Sequence, residues 1–196
     1  MPDVLSTVRA HVLDHFAGVG AADPDEASVT FLGTDRMVVL RFAGPGGEVA
    51  HYVSLGCSAH PMGDPAVLMA DPLRGPRAEV TVSLRGPAPT GLARSLAVLA
   101  ATPAVEGLVL EADALVDLET PLWQGAPFTA FLLGHSDIDD VVLPEPASAV
   151  TVLAAVPITA TEAAWVRLKG AQAMREAWTQ DGVDVTDPRR RAASPA

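Results

Sequence analysis

The residues most able to do chemistry gather between His51 and Asp64, where His51, Cys57, His60 and Asp64 fall within fourteen positions. Neutral imidazole, thiolate and carboxylate all ligate zinc, and Cys57 and His60 have a ligand-like spacing. No second paired ligand motif accompanies them, so the expectation is a polar loop and no metal. Cys57 could instead be a nucleophile with His51, His60 or His135 as its base. The flanks Gly56 and Ser58 do not form a nucleophile elbow, which needs a second glycine. A solitary cysteine is more often a small buried hydrophobe. His11 and His15 share a helix face at i, i+4, but Val12 stands where a zinc protease carries its glutamate. They are expected to face solvent. Asp137, Asp139 and Asp140 could hold a hard cation, but lack the glycine and the closing glutamate of a calcium loop. The glycines between Gly44 and Gly47 are not followed by a Lys-Ser/Thr pair, which argues against a phosphate loop. Arg189 to Arg191 are expected to be solvated charge in a mobile tail.

The elements that must position these residues follow from periodicity. Asp3 can cap a helix in which Leu5, Val8, Val12 and Phe16 recur at helical spacing until Gly18. Strand-like runs come next at Ser28 to Leu32, Met37 to Phe42 and Val49 to Leu55. The second is too apolar for a strand with one wet face and is placed centrally. The Gly- and Pro-rich join from Gly44 to Gly47 favours an antiparallel hairpin. Gly56 to Pro76 reads as a long surface loop. Arg77 to Arg85 alternates as a half-buried strand, with Glu79, Thr81 and Ser83 on its polar face. A helix from Thr90 to Ala101 should end at Pro103. Leu108 to Leu110, Phe128 to Leu133 and Val150 to Val156 read as strands. Thr159 and Glu162 form a capping box opening the last helix, which is interrupted near Gly170. Strands outnumber helices and several joins hold no helix. The expected fold is α+β: a central, largely antiparallel mixed sheet with helices packed against it, in a single domain over residues 1–186, with a tail over 187–196.

Composition narrows function by exclusion. The chain has 196 residues, close to one domain at about 150 residues per domain, and can bury roughly 70% of its unfolded surface without a staple. Hydrophobic residues make up 49%, and mean hydropathy is +0.28, which excludes a disordered chain. Thirteen basic against 24 acidic residues give a net charge of −11, unsuited to nucleic acid. A single cysteine and the absence of a signal-like start or membrane-length apolar run make the expected compartment cytoplasmic. Twelve of the 13 basic residues are arginine and only Lys169 is lysine, which points to a GC-rich bacterial genome.

The order of motifs resembles the suppressor of fused family. The family's His-Tyr-aliphatic-Ser/Thr-x-Gly-x-Ser block is matched by His51, Tyr52, Val53, Ser54, Leu55, Gly56, Cys57 and Ser58. Its Glu-aliphatic-Thr strand is matched by Glu79, Val80 and Thr81, continuing to Arg85. Its Pro-Ile-Thr helix start with an early glutamate is matched by Pro157, Ile158, Thr159 and Glu162, and its closing Asp-Pro-Arg by Asp187, Pro188 and Arg189. Cys57 replaces a common aliphatic residue, and Ala59-His60 a more usual Asp-apolar pair. The resemblance implies a non-enzymatic protein-binding domain without cofactor, of the single-domain bacterial kind. Its expected partner is a protein, in the finer reading a toxin neutralised by an immunity protein. Partner binding is expected around Tyr52, Ser58, His60 and Glu79, with the chain a monomer or homodimer. The rival is an enzyme or metal protein using Cys57 with His51 or His60.

Overall fold

The structure is a computed structural model that describes residues 3–31, 35–63 and 71–193. Helix α1 (Val4–Gly18) buries Val8, Val12 and Phe16 along one stripe, as the spacing predicts. Strand β1 (Asp25–Val29) begins three residues earlier than the apolar pattern indicates, and Leu32 lies outside the described residues. Asp25 and Glu26 are poor strand formers, but here Arg41 bonds Asp25 at 3.2 Å and Arg9 pairs with Glu26. Those tertiary partners override propensity.

Strands β2 (Met37–Ala43) and β3 (Val49–Leu55) form the expected antiparallel hairpin, closed by a 3-10 turn at Pro45–Gly47. Strand β4 (Arg77–Arg85) continues the antiparallel series. It departs from the half-buried expectation: Arg77, Glu79 and Thr81 are buried, because both faces of this strand are covered.

Helix α2 (Leu92–Glu106) runs straight through Pro103 instead of ending before it. Proline removes the N–H that would bond the Leu99 carbonyl. The Thr102 hydroxyl donates to that carbonyl at 2.8 Å and satisfies it. Gly107, at φ 69°, supplies the left-handed residue that ends the helix. The strand expected at Leu108–Leu110 does not form, and a short β5 (Leu115–Asp117) forms in the following segment. Strands β6 (Phe128–His135) and β7 (Val150–Thr159) lead to α3 (Ala160–Lys169) and α4 (Ala171–Gln180), separated at Gly170.

The strand order is β1-β2-β3-β4-β7-β6-β5, and every pair is antiparallel except β4–β7. Alternation along β7 separates the two layers. Leu153 and Ala155 pack with Leu92, Leu96 and Leu99 of α2. Val150 and Val152 pack with Val8, Val12 and Phe16 of α1, and Ile158 packs with Ala163, Met174 and Trp178 of α3–α4. One helix therefore covers one face and three cover the other. The α+β sheet architecture agrees with the expectation. The expectation of solvated charge fails at Arg190, which is buried against α3.

Candidate functional site

Strand β3 pairs with β4 only as far as Val53 opposite Thr81. Beyond that point the chains separate, and side chains take over from the ladder. The Ser54 hydroxyl accepts the Val80 N–H at 2.9 Å and donates to Glu79 at 2.5 Å. The other Glu79 oxygen accepts the N–H groups of Gly56 at 2.8 Å and Ser58 at 3.0 Å, and the Ser58 hydroxyl at 2.6 Å. Arg77, two residues along β4, donates to the carbonyls of Ser58 and Ala59 at 2.7 and 2.9 Å. A buried carboxylate and a buried guanidinium thus grip both polar sides of the 3-10 turn Cys57–Ala59.

Gly56 is required here. Its φ is 150°, and a Cβ would stand 2.6 Å from the Met37 sulfur and 3.1 Å from the Arg36 carbonyl. Met37 is itself buried and cannot swing away cheaply.

Of the residues expected to bind a partner, Tyr52, Ser58 and Glu79 lie in the interior, at 3%, 0% and 0% exposure. The alternation that put Glu79 outward did not register that α1 and the turn after β3 cover that face. Of the four residues, only His60 lies on the surface, where it faces Asp35 at 3.2 Å.

Of the rival constellation, His51 is held apart from Cys57 by the sheet, while His60 lines the same cleft as Cys57. Cys57 packs in the core on the α2 side, while His51 lies tilted against Phe16 of α1 on the other side and bonds Ser83 at 2.8 Å. Burial, then the nearby Glu79 charge, pushes the Cys57 thiol well above its ordinary pKa. Such a thiol is a poor nucleophile and a poor ligand. Among the described residues no three His, Cys, Asp or Glu side chains are placed to hold a metal; Asp64 lies outside them. His11 bonds the Asp139 carbonyl at 3.0 Å, so this half-buried ring ties α1 to the loop after β6 and does not simply face solvent.

Beyond the turn, Met62 is buried, its N–H bonds the Pro76 carbonyl at 2.7 Å, and its sulfur accepts the Leu110 N–H at 3.3 Å. A cleft opens between this segment and α2, lined by Asp35, Cys57, His60, Met62, Pro103 and Ala104. Beside it runs an apolar strip in which Val105, Leu108 and Val109 are 62%, 40% and 40% exposed. Leu108 and Val109 come from the run read as strand for its apolar character, whereas Leu110 is buried.

The second motif block has an equally internal role. Glu162 is fully buried and closes the capping box by accepting the Thr159 N–H at 2.9 Å. It also accepts the Trp178 indole N–H at 3.0 Å, the Ala193 N–H at 3.1 Å and both ends of the Arg190 guanidinium at 2.7 and 3.0 Å. Arg190 donates further to the Pro157 carbonyl at 2.8 Å and lies 4.9 Å from the Phe128 ring centre. Burial raises the Glu162 pKa, but Arg190 and the surrounding N–H donors outweigh it and hold the carboxyl below its usual value. The capping box made Glu162 visible in the sequence. Nothing local marked Arg190, whose partner lies 28 residues away.

The arrangement defines a class: an open mixed sheet whose polar motif residues serve as internal scaffolding. A family model described as suppressor of fused protein (SUFU) matches residues 33–191, and the chain belongs to that family. Solved structures share the fold. A SUFU homologue from Neisseria gonorrhoeae FA 1090 matches with a TM-score of 0.70 at 18% identity, covering 98% of this chain and 97% of that one. The Sufu–Fu complex matches at 0.69 and 16% identity, covering 97% and 91%. Drosophila Suppressor of Fused matches at 0.70 and 17% identity; 97% of this chain is covered but only 51% of that one, so the chain spans about half the Drosophila protein. No curated protein sequence matches.

Proposed function

We propose that this chain is a non-enzymatic protein-binding domain whose partner docks at the end of the sheet beside Met62. The observation that carries the reading is the apolar strip of Val105, Leu108 and Val109 alongside the His60 cleft. Large apolar side chains gathered beside a concave rim are the usual mark of an interaction surface. Asp35 lines the cleft, Glu106 and Glu111 flank Leu108 and Val109 in sequence, and the whole chain carries −11, so the matching partner surface is apolar at its centre and basic around it. The occurrence of this fold in the Sufu–Fu complex supports protein binding as its use.

The finer reading is an immunity protein that neutralises a basic toxin in the cytoplasm, where an acidic surface accelerates capture. The buried, high-pKa Cys57 weighs against the enzymatic alternative.

The test is co-purification from the native host with the wild-type chain, Val105→Arg and Leu108→Arg. A partner recovered at stoichiometric amounts with wild type, and reduced about tenfold or more by either folded variant, is the expected result. Equal recovery with all three chains would refute the surface. Growth arrest by the partner alone, relieved by co-expression of this chain, is expected for the toxin reading; an innocuous partner would remove it.

A further inference from the structure

The face of the sheet opposite Cys57 gathers three of the chain's five histidines in one place. His15 from the last turn of α1, His51 of β3 and His135 at the end of β6 line a cleft of about 360 Å³. Asp137, Thr81 and Ser83 share it. Its size is within the range of small-ligand sites. The protein-docking surface proposed above lies elsewhere and makes no use of it.

The lining has one sign of full charge. Among the described residues no lysine or arginine lines it, and Asp137 is the carboxylate there. The C-terminal end of α1, the negative end of the helix dipole, points its last turn at the same space. His51 is fixed by its 2.8 Å bond to Ser83 and by its contact with Phe16, 5.2 Å between ring centres. Burial first, and His15 second, push its pKa below the ordinary histidine value, although Asp137 pulls the other way. At neutral pH the ring is a hydrogen-bonding group without charge. Thr81 is 7% exposed, and its hydroxyl has no hydrogen-bond partner among the described residues. A buried polar group left unpaired is a cost that a suitable donor would relieve. Val19, Pro45 and Ile138 supply apolar walls.

We infer that this cleft binds an alkylguanidinium, with the planar cation against Asp137 and the imidazole and hydroxyl acceptors and the alkyl stem between Val19, Pro45 and Ile138. The acceptors are spread round the cleft and do not converge as a coordination centre, which suits a flat cation with several donors. A guanidinium also stacks on imidazole rings, which a compact ammonium does less well. Acidification must weaken binding. The groups facing His51 are His15 from α1, Asp137 and His135 from the end of β6 and its loop, and the hydroxyls of Thr81 and Ser83 from β4. Protonating His51 adds positive charge, and among the lining residues only Asp137 opposes it.

The same cation could come as a free small molecule or as an arginine side chain of another protein. Two probes separate these sources: n-propylguanidinium, and N-acetylarginine N-methylamide. Amide and imidazole NMR shifts of the full chain are followed during titration, with the neutral propylurea as control. Saturable shifts at His15, His51, Thr81 and Asp137 with either guanidinium, about tenfold weaker affinity in Asp137→Asn, and weakening from about pH 7.5 to about pH 5 are expected. Binding of the blocked arginine assigns the site to a protein side chain, and its exclusion while propylguanidinium binds assigns it to a free ligand. Absence of saturable shifts with both, equal binding of propylurea, or an unchanged affinity in Asp137→Asn would overturn the proposal. Asp137 is exposed, so that variant leaves the fold in place.

Discussion

At the residue scale, Glu79 shows how a carboxylate is kept inside a protein without an ion pair among the described residues. Two hydroxyls and two backbone N–H groups supply its four hydrogen bonds. Removing the acceptor strands those donors in the core, at about 1–3 kcal/mol for each that finds no water. Glu79→Ala is therefore expected to lower unfolding stability in urea by about 3 kcal/mol or more, and Glu79→Gln by less, since the amide keeps one acceptor. Equal stability of Glu79→Ala and wild type would contradict this role. The same carboxylate and the surrounding core keep Cys57 protonated. In the folded chain its reaction with a thiol reagent at neutral pH should be about a hundredfold slower than in denaturant, and equal rates would contradict the burial. The sequence displays Tyr52, Ser58, His60 and Glu79 as candidate binding residues, but not which way they face. Whether a strand's polar residue meets water or another element depends on what packs there, and that is decided by α1 and a turn far from Glu79 in sequence.

At the scale of elements, the residues after α4 are fastened to α3 by one buried pair. The native Glu162 carboxyl lies below its ordinary pKa. As the pH falls, the unfolded chain takes up this proton first. The stability contributed by the pair is complete above the unfolded carboxyl pKa and drains as the pH drops through the native one. In Arg190→Met the cation is lost, burial dominates, and the carboxyl pKa rises. The acid unfolding midpoint, followed by circular dichroism, should move to higher pH, and stability near neutrality should fall by about 3–5 kcal/mol. An unchanged midpoint would show that Arg190 is not engaged as described. Local patterns told part of this. Thr159 and Glu162 sit three apart and were readable as a cap. Pro103 reads as a stop because its missing N–H is a local fact, while its repair by Thr102 depends on a rotamer. β1 was misplaced because Asp25 and Glu26 gain their strand through Arg41 and Arg9, which no local window contains.

At the scale of the whole molecule, the alternation of strands and the Gly-rich join at Gly44 to Gly47 were enough to specify a mixed, mainly antiparallel sheet. The parallel pairing of β4 with β7 was not legible, because it joins Arg77–Thr81 to Val150–Ala154 across a long crossover. The family blocks were legible as an ordered pattern, and the structure gives their physical content. Two of the blocks centre on a buried carboxylate with its donors, Glu79 under the turn after β3 and Glu162 under the start of α3. These polar residues are spent on holding the fold. The surface that remains, with its −11 charge and the strip at Val105, is what another protein would meet. The most direct measurement is calorimetric titration of the co-purified partner with wild type, Cys57→Ala and Val105→Arg, alongside mass analysis of the partner before and after incubation. The account predicts that Cys57→Ala binds within about twofold of wild type, Val105→Arg binds about tenfold or more weakly, and the partner emerges covalently unchanged. A partner chemically altered by wild type but left intact by a folded Cys57→Ala would contradict it.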